Sequence, residues 1–148
     1  MNICQQRVQT KRMTTDIELE NMTAFVESIN VYNAGEIICY NKQNEKFEKI
    51  CAVWKGMLAA SHQMPAFGVS LNDETSKAIR EGVWVEFNFG QTYSNCGMSF
   101  EKLLVHAVPE ATGFNIIRYN EGVGYDGRCF YFNLLNHDMS DFYNCLIS

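Results

Sequence analysis

Only two prolines, Pro65 and Pro109, occur in the 148 residues, so no stretch has the make-up of a stiff, extended linker. No run of 18 apolar residues exists, and no segment therefore reads as a membrane-spanning helix. The histidines His62, His106 and His137 stand far apart. None has a His or Cys partner two, three or four residues on, so no metal site is assigned; a pair such as His106 and Cys129 meeting across strands is left open. No P-loop, H-E-x-x-H, EF-hand or G-x-S-x-G pattern is present, and neither a cofactor nor a catalytic residue is assigned. Among six cysteines there is no C-x-x-C pair. Several sit in apolar runs, in "EIICY", "EKICAVW" and "RCFYF". They read as reduced core thiols of a cytoplasmic protein, not as a disulfide framework.

Positive charge is also short. Twelve Lys and Arg face seventeen Asp and Glu, for a net −5. Arg7, Lys11 and Arg12 lie in the first twelve residues, which hold no acid; take these three away and the net −5 becomes −8 for the rest. An acidic body lacks the electrostatic footprint of nucleic-acid binding. Residues 1–13 read as a flexible basic leader, with no apolar stretch behind the charges to make a signal peptide. Residues 14–148 read as one domain, long enough to bury a core without staples.

What the chain has in quantity is apolar and aromatic side chains, 47% and 13% of residues, with 20% charged. Thr15 with Glu18 forms a capping box, and Leu19, Met22, Val26 and Ile29 recur at helical spacing, predicting a helix over 15–29. "EIICYN", 36–41, reads as a strand. "NEKFEKICAVWKGMLAASH", 44–62, is a clear amphipathic helix, with Phe47, Ile50, Cys51, Trp54 and Leu58 on one face. "PAFGVSL" reads as a strand and "NDETSKAIREG" as a short helix closed by Gly82. In the second half the period changes to two. "VWVEFNF", 83–89, alternates Val83, Val85, Phe87 and Phe89 against Trp84, Glu86 and Asn88. Residues 100–108, 113–120 and 128–135 are three further strands, and "SDFYNCLI" is a terminal helix.

Strands joined by turns this short cannot be parallel. The expected fold is α+β: an antiparallel four- to five-stranded meander sheet with helices packed mainly on one face. A helix containing "VWKGML", then "FGVS", then paired strands resembles in outline the small-molecule effector-binding domains of bacterial regulators. The resemblance covers about a third of the chain and carries no diagnostic motif, so it transfers no residues.

"NEGVGYDG" spaces Gly122, Gly124 and Gly127 as a dinucleotide-binding loop does. That fingerprint works only between a strand and a helix, whose N-terminus holds the pyrophosphate. Here the following "RCFYFNLL" is a strand, so the loop reads as a hairpin in which glycines supply positive φ. The terminal "CLIS" fits the C-a-a-X farnesylation pattern. The residues before it are acidic, though, and Phe142, Cys145 and Leu146 also form the apolar face of a terminal helix.

If Val83, Val85, Phe87 and Phe89 face the helices, then Trp84 and Glu86 face away, joined by His106, Tyr119 and Tyr131 from neighbouring strands. Aromatics with a few polar groups on one wall suit a ligand pocket or a partner surface. The function expected is a non-catalytic cytosolic binding module, of inhibitor, immunity or accessory type, docking on a protein partner. The alternative is a small-molecule sensor domain. The third reading is a small enzyme using Glu86 and His106 as acid and base.

Overall fold

The structure is a computed structural model that describes residues 18–148. The basic leader and the capping box at Thr15 lie outside the described residues.

Leu19–Phe25 form a 3-10 helix that buries Leu19 and Met22, and the chain then extends into strand β1, Ser28–Asn33. The predicted helix over 15–29 is thus corrected. Its apolar positions are buried as expected, but Ile29 and Val31 alternate with polar neighbours, and the β-branched residues take the pleat instead. Ala34 and Gly35, both at positive φ, make a two-residue hairpin turn into β2, Glu36–Asn41.

Helix α1, Glu45–Ala59, starts where the Asn44 side chain accepts from the Lys46 amide at 2.8 Å. It buries Phe47, Ile50, Trp54 and Leu58. It stops three residues before the predicted end, and His62–Met64 form a short strand, β3, that the sequence reading placed partly in the helix. Within "PAFGVSL" only Val69–Ser70 is strand, β4. Helix α2 is Asn72–Ala78. The long strands follow: β5 (Val83–Asn95), β6 (Met98–His106) and β7 (Gly113–Tyr119). The predicted 128–135 strand divides into β8, Gly127–Arg128, and β9, Phe130–Asn133. Helix α3, Ser140–Ile147, closes the chain and buries Phe142, Cys145 and Leu146. Among the described residues no helix is long and apolar enough to cross a membrane.

Seven strands form one antiparallel sheet in the order β2-β1-β5-β6-β7-β9-β3. The expected meander is its middle, β5-β6-β7-β9. The β1-β2 hairpin extends it on one side and β3 on the other, so the sheet is wider than the four or five strands predicted. The register carries the predicted alternation across the sheet. Val31 opposes Val85, Val85 opposes Val105 and Val105 opposes Ile116 on the face covered by α1 and α3. Trp54 of α1 sits at the centre of this core.

The other face is covered too. Strands β4 and β8 pair as a two-stranded ribbon, and with α2 and the glycine loop 120–127 they form a second, thinner layer. The loop is a hairpin running into strand, as its sequence implies. Its Tyr125 amide donates to the Asn72 side chain at 3.0 Å, and Asp126 accepts from the Asn72 amide at 2.6 Å. Gly124 stands at φ +68, and a Cβ there would fall 2.2 Å from Asn72 Oδ1. Gly124→Ala should therefore cost about 1 kcal/mol or more and loosen the loop from α2. An unchanged denaturation midpoint would show that this contact holds nothing.

Candidate functional site

Tyr32, Trp84 and His106 lie opposite one another on β1, β5 and β6, and one pair further along stand Asn30, Glu86 and Leu104. Trp84 and Glu86 are therefore on the predicted face, turned away from α1 and α3. They are not on an open wall, however. Trp84 is 6% exposed and Glu86 1%, and this corrects the expectation. The reason is the second layer: segments that read as a strand and a turn fold back over the sheet and seal its centre.

Trp84 stacks on His106, ring centroids 4.2 Å apart and planes 4° from parallel, and its Nε1–H donates to the Glu81 carbonyl at 2.8 Å. Burial lowers the His106 pKa. Truncating Trp84 would thus remove core packing as well as a groove wall. Glu86 accepts from Tyr32 Oη at 3.2 Å, from Asn30 Nδ2 at 3.5 Å, and from the hydroxyl of Tyr125. Burial, and then the charge of Glu86, push the Tyr32 phenol up to about 12. The Tyr125 phenol is raised further by the same causes in the same order. Among the described residues no cation lies within ion-pair distance of Glu86, so neutral donors alone hold the carboxylate.

Two adjoining hollows remain open at the edge of this sealed centre. One, of about 350 Å³, runs between the sheet and the α2 layer past Val69, Leu71, Thr75 and Cys129. The other, of about 330 Å³, is lined by His106, Ala111 and Tyr131 among others. Trp84, Asn115 and Ile117 line both. Beside them Met64, Phe67, Val69 and Leu71 are exposed, Phe67 at 69% and Val69 at 67%. The Phe67 ring lies 5.7 Å from that of Tyr131.

The five predicted residues therefore divide. Trp84, His106 and Tyr131 come together on the second hollow. Glu86 and Tyr119 belong to the sealed cluster, where Tyr119 meets Tyr125 edge-on at 5.1 Å and carries the Lys102 ammonium 4.8 Å over its ring. Glu86 lines neither hollow, so it does not converge with His106 on a common opening. His106 and Cys129 line different hollows. Among the described residues no group of three His, Cys, Asp or Glu side chains is placed to hold a metal. Two of the thiols read as core, Cys39 and Cys96, are exposed.

The sequence reading missed Phe67, Val69 and Leu71, whose alternation was visible but was spent on a longer strand. It also missed Tyr125, for which a glycine loop gives no signal. A third hollow, of about 300 Å³, lies between α1 and α3 with His137, Asp138 and Asp141 among its lining. Asp138 is already engaged, accepting from the amide and hydroxyl of Ser140. No protein-family model matches this chain, and no curated protein or solved structure is similar to it at a significant level.

Proposed function

We propose that the chain is a non-catalytic cytoplasmic binding module whose partner is a protein, docked over the strip Met64, Phe67, Val69 and Leu71 and the hollow beside it. One observation supports this most: four large apolar side chains within one short segment, residues 64–71, are exposed, and one of them, Phe67, meets Tyr131 of the wall that Tyr131 forms with Trp84 and His106. Scattered apolar residues are ordinary on a surface, whereas a contiguous group beside aromatic anchors is what partner sites display. The net charge of −5, with Asp73 and Glu74 opening the adjacent α2, fits a basic partner steered by charge.

The test compares the immobilised parent with a Phe67→Ser, Leu71→Ser double variant. Both side chains are exposed, so the variant should keep the parent's circular dichroism. The parent should retain a discrete protein from a lysate of its source, less of it as salt rises, and the variant should lose it. Equal retention by both would sink the reading. The sensor alternative draws support from the size of the two hollows, at the lower end of the ligand-pocket range. A small molecule that raises the parent's melting temperature and quenches its tryptophan emission would favour the sensor.

A further inference from the structure

At the far edge of the sheet, strand β2 is bonded to β1 on one side, and no described strand pairs on its other side. Its six residues hold no proline, lysine or bulge, the usual guards of an edge. Ile37 is 60% exposed and Ile38 53%, and Cys39 is exposed as well. The β1-β2 turn fixes which backbone groups are free. A two-residue turn closes with its flanking residues bonded to each other, so Glu36, Ile38 and Tyr40 direct their amides and carbonyls at β1. Ile37, Cys39 and Asn41 then direct theirs outward. Water satisfies such an outward row in the single chain, and an extended strand is the partner that can pair with the whole of it.

We infer that the occupant is β2 of a second copy of this chain, paired antiparallel about a two-fold axis that passes between the two Cys39 residues. A two-fold perpendicular to the sheet keeps each face on its own side. It also requires outward residues to meet outward residues. The register centred on Cys39 meets both conditions: Ile37 opposes Asn41 of the copy, and Cys39 opposes Cys39. On the helix face Ile38 opposes the half-buried Tyr40, which covers the exposed Ile38 of each chain. Charge selects this register over its neighbours, because it alone sets Glu36 opposite Lys42 at both ends of the pairing. Within one chain Lys42 meets Glu27 at 3.1 Å on the surface, and from that rim position it can serve both carboxylates. The two sheets become one continuous sheet, and the surface proposed above for the protein partner lies on a face of the sheet, clear of this edge.

Sedimentation equilibrium from micromolar to millimolar protein should show the mass rising from one chain to two. The facing Cys39 α-carbons should stand about 5.5 Å apart. A short bifunctional thiol reagent should therefore join the chains in a Cys4→Ser, Cys96→Ser background and fail when Cys39→Ser is added. Cys39→Lys should abolish the dimer and leave the circular dichroism unchanged, since it opposes like charges across the axis while the single chain keeps the residue in water. Glu36→Lys should weaken association about tenfold, and adding Lys42→Glu should restore it. A single-chain mass at all concentrations, or a cross-link that survives Cys39→Ser, overturns the proposal. The first result would leave the edge to a foreign strand or to residues 1–17, and the second would place the contact on another surface. Failure of the charge reversal to restore association overturns the register.

Discussion

Trp54→Ala should lower the unfolding free energy by about 3–5 kcal/mol, the range for truncating a fully buried aromatic. Trp54 is the side chain through which three parts of the fold meet. Its ring stacks on Phe87 of β5 at 4.9 Å, leans on Phe114 of β7 at 5.8 Å, and meets Phe142 of α3 at 5.4 Å. Removing it leaves a void bordered by two strands and a helix, none of which can close the gap without shifting the others. Against a total stability of about 5–15 kcal/mol, this one change can place the chain near its unfolding midpoint at room temperature. Urea titration should show the loss as a lower midpoint with the slope unchanged. Trp54→Phe keeps most of the ring contacts and should cost clearly less. A loss below about 1 kcal/mol for Trp54→Ala would mean that α1 and α3 are not clamped through this residue.

The same residue shows what a sequence makes legible. Phe47, Ile50 and Leu58 share a helical stripe with Trp54, which puts it in the core, and the alternation of "VWVEFNF" puts Val85 and Phe87 on the face it meets. Both signals come from local periodicity, and both hold in the seven-stranded sheet. What local periodicity does not contain is the second layer. Tyr125 caps Glu86, and Ser70 and Asn72 hold the loop that carries it. They act through side-chain bonds between segments more than fifty residues apart, such as the Tyr125 amide to Asn72. Each of these segments looks like surface when read alone. The β3 strand escaped for a related reason: three residues are too short to show a period, and His62–Met64 is a strand only because β9 offers it an edge. The N-terminal helix failed differently. Leu19, Met22, Val26 and Ile29 satisfy a helical stripe, but a 3-10 turn followed by a strand buries the same side chains. The pairing of β1 with β5 stabilises that solution.

Glu86 carries the second large prediction. Glu86→Ala should cost about 2–4 kcal/mol, because it leaves the hydroxyls of the half-buried Tyr32 and Tyr125 without their acceptor, each at the lower end of about 1–3 kcal/mol, and opens a void beneath the glycine loop. Glu86→Gln keeps the shape and one acceptor oxygen, and should cost about 1–3 kcal/mol. Alkali separates a clamp made by the charge from one made by shape alone. Tyr32 has its pKa raised from 10.0 to about 12, by burial first and by Glu86 next, and Tyr125 is raised for the same reasons. Above pH 10 the unfolded chain releases these protons while the folded protein keeps them. The folded state then binds more protons than the unfolded one, so stability falls as pH rises. The contribution is whole below the unfolded value near 10, and Tyr32's share is lost as pH climbs through about 12. In Glu86→Gln the charge that helps to hold both phenols protonated is gone, and burial remains the main cause that raises them. Urea unfolding measured across that window should then give a shallower fall of stability with pH for Glu86→Gln than for the parent. Equal slopes would mean that the carboxylate does not set the phenols, and a parent-like stability for Glu86→Ala would remove the clamp altogether. A carboxylate that behaves as predicted is a structural pin, one that fastens the glycine loop over the sheet at Glu86, two residues along β5 from the Trp84 wall on which a partner is proposed to dock.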